Sequence, residues 1–197
     1  MKQSVLCCLK WSFFALALFF VFLFYSSPVA PVFAGWFDHS SKAPADCEFE
    51  AAFSPFGNSL ELVVSTINSA KKTILVAAYS FTSKPISTAL LAASKRGVKV
   101  QVVADEKSNA EKYGAVQFLA NQGVPVRLNG NYAIHHNKFM VVDGVTVETG
   151  SFNYTAAAAG KNAENVLVVR NNPALAEQYT KEWERLWREA GDVKAAY

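Results

Sequence analysis

His136 and Lys138 stand two positions apart in a largely apolar stretch, Ile134-His135-His136-Asn137-Lys138-Phe139-Met140-Val141-Val142, that runs into Asp143-Gly144. Ser151 and Asn153 repeat that spacing after a second apolar stretch, and Glu164 heads a third. Strand residues two apart point to the same face. The spacing therefore predicts an imidazole and an ammonium on one strand, and a hydroxyl and an amide on its neighbour, all turned to a common spot. A phosphodiester suits that spot. It is an anion whose oxygens gain charge under nucleophilic attack, and fixed donors aimed at such charge usually supply the largest catalytic contribution. Lys138, Ser151 and Asn153 can donate to those oxygens. A neutral His136 has a free ring lone pair with which to attack phosphorus. Its other nitrogen needs an acceptor to fix the tautomer, and Glu164 is the candidate. Thr155 starts a short helix, ended by Gly160, whose free N–H groups are further candidate anion donors.

Taken singly, these residues have ordinary readings. His135 faces away from His136 and reads as a hydrogen-bonded core or surface histidine, and His39 as a solvated one. Ser151 and Asn153 alone are turn or cap residues. Lys138 is harder to dismiss, because an ammonium in an apolar strand is costly unless an anion meets it.

The elements that must position this set follow from apolar periodicity. Glu48–Phe53 alternates as a strand, ended at Ser54-Pro55. Leu60, Val63, Val64 and Ile67 recur at helical spacing from Ser59. Thr73–Tyr79 is a continuous apolar run, as in a strand covered on both faces. Ser83 and Pro85 open a helix that Gly97 stops; strand 98–104, helix 110–122 and strand 124–128 follow. Strand 134–142 turns at Asp143-Gly144 into strand 145–149, and Asn165–Val169 is another. From Pro173, Leu175, Tyr179, Trp183, Leu186 and Ala190 form the apolar stripe of a docking helix. The order predicts an α/β fold, with a largely parallel or mixed sheet flanked by helices on both faces.

Residues 1–34 are set apart from that domain. Lys2 and Lys10 precede an apolar run, Trp11–Tyr25, and Val32-Phe33-Ala34 supplies the small residue of a cleavage site before Gly35. This reads as a secretory signal, with an uncleaved membrane anchor as the alternative. The run is shorter than the roughly twenty residues that span a bilayer. A polar linker, 35–46, then leads to the domain, 47–192. The expected location is periplasmic or secreted, or membrane-anchored if the segment is kept. Past that segment only Cys47 remains, so no internal disulfide is expected and a buried thiol is its assigned role. No cysteine and histidine set has zinc-site spacing. The chain's net charge is +3, of which Lys2 and Lys10 supply two, so any basic footprint must be local, at Lys95, Arg96 and Lys99 or at Lys107 and Lys112.

The run His136-x-Lys138-x4-Asp143-x6-Gly150-Ser151-x-Asn153 resembles, without a gap, the signature of the phospholipase D superfamily. Glu48 to Trp187 is similar to its single-motif bacterial endonucleases, including Phe53-Ser54-Pro55 and Arg96-Gly97-Val98. The resemblance implies a phospholipase D-like fold and a metal-independent hydrolysis that needs no cofactor. It implies His136 as the nucleophile of a phosphohistidine intermediate, and Lys138 and Asn153 as the phosphate holders. Ser151 would support them and Glu164 would polarise His136. Asp143 belongs to the motif, but its place at a turn makes it a brace for the loop.

Most of that superfamily carry two motifs per chain, and this chain has one. A second group must protonate the leaving oxygen and then activate water, so the expected form is a two-fold homodimer that joins two His136 side chains. One neutral and one protonated imidazole predict activity peaking between two apparent pKa values. The expected substrate is DNA, with RNA next. A phospholipid, cardiolipin type, is the alternative and is favoured if the N-terminal segment is retained. An inactive polyanion-binding module is the third reading, against which the intact His136 argues.

Overall fold

The computed structural model describes residues 44–111 and 114–196; the expected signal, 1–34, lies outside them, as does most of the linker. Among the described residues the chain order is β1 (Glu48–Ser54), α1 (Ser59–Ser69), β2 (Thr73–Ala78), α2 (Lys84–Lys95), β3 (Lys99–Asp105), a 3-10 turn (Lys107–Asn109) and α3 (Ala115–Asn121). It continues through β4 (Val126–Asn129), β5 (Phe139–Val142), β6 (Thr146–Gly150), α4 (Ala156–Gly160), β7 (Glu164–Arg170), α5 (Pro173–Glu189) and β8 (Gly191–Asp192).

The strands form one sheet in the order β1-β7-β6-β5-β2-β3-β4-β8. Among the named strands, parallel pairing is found at β2–β3 and β3–β4, which the α2 and α3 crossovers join. The sheet is thus mixed, with antiparallel wings around a parallel centre. The hairpin between β5 and β6 explains this, because a tight turn can only reverse the chain. Asp143 and Gly144 take left-handed φ values of 53° and 69° there, as such hairpin turns require.

Two apolar layers hold the sheet. On one face Leu62, Ile67, Ile86, Leu90 and Leu119 of α1–α3 pack on Ile74, Val76, Val102, Met140 and Val168. On the other, α5 sets Ala176, Trp183 and Leu186 against Ala77, Val103, Phe139 and Val147. Each such fully buried aliphatic side chain contributes roughly 1.5–3 kcal/mol. Trp183 is also pinned by its indole N–H, which donates to the Val76 carbonyl at 2.8 Å.

Two elements are shorter than the sequence predicts. The strand expected over Ile134–Val142 is paired only over Phe139–Val142. Its neighbours β2 and β6 end at Ala78 and Gly150, and the His135 amide turns instead to the Asp105 carboxylate. The helix expected over 110–122 is Ala115–Asn121, because Gly114 is extended at its start. Cys47 is a free thiol, half-buried rather than buried.

Candidate active site

The antiparallel register of β5 against β2 and β6 brings the start of β5 beside the ends of β2, β3 and β6. Tyr79, Asp105, the His136–Lys138 segment, Gly150-Ser151 and the start of β7 at Glu164 therefore share one edge of the sheet. This is the edge at the C-terminal ends of the parallel strands, where open α/β sheets bind ligands.

His136 is exposed and Lys138 is buried, with 7% of its surface accessible. They do not lie on a regular strand. A direct bond nonetheless couples them: the Lys138 Nζ donates to the His136 carbonyl at 2.8 Å. Burial pushes the Lys138 ammonium below the usual lysine range, and the Glu164 carboxylate offsets part of that shift. Tyr79 lies against both groups. Its ring centroid is 4.7 Å from that of His136, at 55°, and 5.0 Å from the Lys138 Nζ.

Ser151 and Glu164 meet each other, a pairing that the spacing did not predict. The Ser151 Oγ donates to the Glu164 Oε2 at 2.6 Å and accepts from the Asn165 amide at 3.1 Å. The Asn162 side chain donates to the other Glu164 oxygen at 2.9 Å. The carboxylate is thus held by Ser151 and Asn162, and not by the His136 imidazole, among the described residues. Gly150 makes this approach of β6 to β7 possible: a Cβ there would stand 2.1 Å from the Asn165 carbonyl oxygen.

Asn153 is half-buried, and its Oδ1 is buried without a hydrogen-bond partner among the described residues. Such an unpaired group costs about 1–3 kcal/mol. A half-turn of the amide exchanges Oδ1 for the Nδ2 donor at that place. α4 is a single turn whose Ala158 amide is taken by the Thr155 Oγ at 3.1 Å, so it adds little as an anion site.

Asp143 is not brought to this edge. It follows the far end of β5, and its carboxylate accepts the amides of Lys71, Lys72 and Thr73 at 2.7–2.8 Å. Burial raises its pKa, but those three bonds overcome it and hold the carboxyl below the usual range. The carboxylate thus ties the turn after β5 to the α1–β2 corner.

Several contributors were absent from the sequence reading. Asp105 accepts the His135 amide at 2.8 Å, which fixes the chain beside His136. Asn109 accepts the Phe81 amide at 2.9 Å and donates to the Tyr79 carbonyl at 2.6 Å. Glu148 and Tyr154 form a buried pair behind the Gly150-Ser151 corner, with the Tyr154 hydroxyl donating at 2.7 Å. Burial lifts the Glu148 carboxyl to about 8, against that hydrogen bond, and pushes the Tyr154 hydroxyl up as well. His135 is buried and neither ring nitrogen has a partner among the described residues. Burial lowers its pKa more than Asp105 restores it, which favours the uncharged ring. α5 also reaches the site: a cleft of about 330 Å³ is lined by His136, Lys138 and Gly150 with Gln178, Tyr179 and Glu182. No group of three or more His, Cys, Asp or Glu side chains among the described residues is placed to hold a metal ion.

Comparison with known proteins identifies the family. The family described as "Cardiolipin synthase, PLD-like domain" matches residues 63–187. A phospholipase D of Rickettsia conorii is 35% identical over 131 residues, which cover 66% of this chain and 65% of the relative. The match thus spans just under two thirds of that relative's length. A mitochondrial cardiolipin hydrolase of Danio rerio is 33% identical over 173 residues, 86% of this chain and 73% of the relative. The crystal structure of Nuc from Salmonella typhimurium, a phospholipase D family member, superposes with a TM-score of 0.74 at 44% identity, over 76% of this chain and 99% of that one. With its single His136-Lys138 half-site at the edge of a mixed sheet, the chain belongs to the phospholipase D superfamily.

Proposed function

We propose that the protein is an exported, homodimeric phosphodiesterase that cleaves DNA, and secondarily RNA, within the chain. The observation that carries this reading is an exposed imidazole, His136, beside a buried ammonium, Lys138, with no carboxylate hydrogen-bonded to that ammonium among the described residues. A buried cation left so needs an anionic guest, and a phosphodiester in the 330 Å³ cleft supplies it.

In the first step a neutral His136 nitrogen forms the N–P bond while the P–O bond to the leaving group breaks. The leaving oxygen takes a proton from an imidazolium. In the second step water attacks phosphorus, gives its proton back to that imidazole, and the N–P bond breaks. Lys138 and the Asn153 amide hold the non-bridging oxygens, and Ser151, whose one hydroxyl proton goes to Glu164, supports them by fixing that carboxylate beside Lys138. The proton donor must be a second histidine. His135 is buried, so the His136 of a second copy is assigned the part. No metal is called upon in either step.

A lipid phosphodiester is the second reading. Relatives named phospholipase D and cardiolipin hydrolase favour it, as do two exposed aromatics, Phe53 of β1, which pairs with Asn165 next to Glu164, and Phe56 just beyond that strand. Plasmid DNA, RNA and cardiolipin vesicles, offered in parallel to the purified protein with EDTA present, separate the two. Nucleic-acid cleavage that His136→Ala abolishes supports the nuclease. Lipid turnover without nucleic-acid cleavage would transfer the assignment to lipid, and an active monomer would remove the shared site.

A further inference from the structure

We propose that Tyr79 is a positioning residue for the nucleophile, a ring that holds the His136 imidazole and the Lys138 ammonium in one fixed geometry. The inference rests on His136 being the nucleophile. Among the described residues the imidazole makes no side-chain hydrogen bond, so the Tyr79 ring is the contact that limits its rotation. An exposed histidine left free would lose most of its time to unproductive rotamers. Misplacement by about 1 Å can cost on the order of 100-fold in rate.

The ring suits both neighbours. A cation within about 6 Å of an aromatic centroid is attracted to its face, and the Lys138 Nζ stands at 5.0 Å. The imidazole packs tilted at 55° with centroids 4.7 Å apart, within the range favoured for aromatic pairs. As His136 takes on positive charge during N–P bond formation, the same ring faces it. Tyr79 thus serves the resting and the reacting forms of the imidazole without donating a proton to either.

The surroundings hold Tyr79 in turn. Asn109, itself buried, clasps the segment on both sides of Ser80, donating to the Tyr79 carbonyl at 2.6 Å and accepting the Phe81 amide at 2.9 Å. The next two amides, of Thr82 and Ser83, donate to the Tyr154 carbonyl at 2.9 and 2.8 Å. Asp105, at the end of β3, fixes the His135 amide. The loop that carries the ring and the segment that carries the nucleophile are therefore both anchored to residues 105–109. This geometry makes Tyr79 part of the mechanism rather than a surface aromatic.

Tyr79→Leu and Tyr79→Phe are the test, with the chromogenic diester bis(p-nitrophenyl) phosphate as substrate and the full chain throughout. Tyr79→Leu is expected to lower kcat by about 10- to 100-fold with little change in KM, and to slow phosphohistidine formation in a single turnover by the same factor. Tyr79→Phe keeps the ring and is expected to recover most of that loss. An undiminished kcat in Tyr79→Leu overturns the proposal. So does an equal loss in both variants, because the hydroxyl would then be the working group. The His136 ring-proton NMR shifts give a readout that needs no turnover. They should carry the ring current of Tyr79 in wild type and Tyr79→Phe, and lose it in Tyr79→Leu. Shifts identical in all three variants overturn the contact. If the wild-type protein cleaves no phosphodiester, the functional reading fails while the NMR result still decides the contact.

Discussion

The Ser151 Oγ donates to the Glu164 Oε2 at 2.6 Å, which joins the last residues of one strand pair to the first of the next. Glu164 is therefore tied to Ser151 by this bond, besides acting on Lys138 by its charge, and the two bonded residues should behave as a unit. Residues that share a hydrogen bond show interaction energies of about 0.5–3 kcal/mol in double-mutant cycles. Ser151→Ala and Glu164→Gln are each expected to lower kcat/KM, and the double variant should lose clearly less than the two losses multiplied. Strict multiplicativity would mean that each residue works alone, and would return Glu164 to the imidazole.

Lys138 sets a limit at alkaline pH. Burial depresses its pKa, so the ammonium is lost at a pH below the ordinary lysine range. Activity that needs this cation should fall along an alkaline limb placed accordingly. The Glu164 carboxylate favours the ammonium. Removing that charge in Glu164→Gln should therefore move the limb to lower pH. Lys138→Arg, whose guanidinium does not deprotonate in this range, should lose activity through geometry yet show no such limb. A limb unmoved by Glu164→Gln would break the electrostatic link between the two side chains.

Asp143 should be a stability residue. Its carboxylate collects three consecutive amides from the α1–β2 corner, at the edge of the sheet opposite His136. Hydrogen bonds to a charged group contribute about 1.5–3 kcal/mol each when shielded. These are partly exposed, so about 1–3 kcal/mol for Asp143→Ala is expected from denaturant melts, with little change in kcat. The sign with pH follows from the lowered carboxyl. Its stabilisation is complete above the unfolded value near 3.8 and is lost as the pH falls through the folded one. The variant should therefore show a shallower acid limb of stability than wild type.

The parts of the fold that were legible in the sequence are those fixed by local chemistry. Asp143-Gly144 marked its hairpin because few other pairs tolerate two left-handed φ values, and the α5 stripe from Leu175 to Leu186 marked a docking helix. The element order alone left the sheet as largely parallel or mixed; the pairing makes it mixed, with parallel pairs at β2–β3 and β3–β4. Tyr79 was not singled out, because in sequence it is the last residue of an apolar run. Its contacts with His136 and Lys138 come from a segment about sixty residues further along the chain, not from local spacing. One signal was available: Tyr79 and Asp105 follow or end parallel strands, where such sheets gather their ligands. Glu148 was equally hidden, since one acid in an alternating strand reads as solvent-facing until β7 and the helices cover it.

Glu148 gives the last prediction, on stability against alkali. Its carboxyl is buried with 1% of its surface accessible, and burial lifts its pKa from 4.5 to about 8. At neutral pH it is therefore held mainly as the acid, bonded to the Tyr154 hydroxyl. A group raised on folding contributes stability that is complete below its unfolded value and is lost as the pH rises through the folded one. The window here runs from about 4.5 to about 8. Glu148→Gln keeps the shape and removes the titration, so its melting temperature should fall less than that of wild type between those limits. The consequence reaches the site, because the Tyr154 carbonyl holds the Thr82 and Ser83 amides beyond Tyr79. Melts of both proteins at pH 5, 7 and 9 decide the matter. Parallel curves would mean that Glu148 is charged inside the fold and has a partner other than Tyr154.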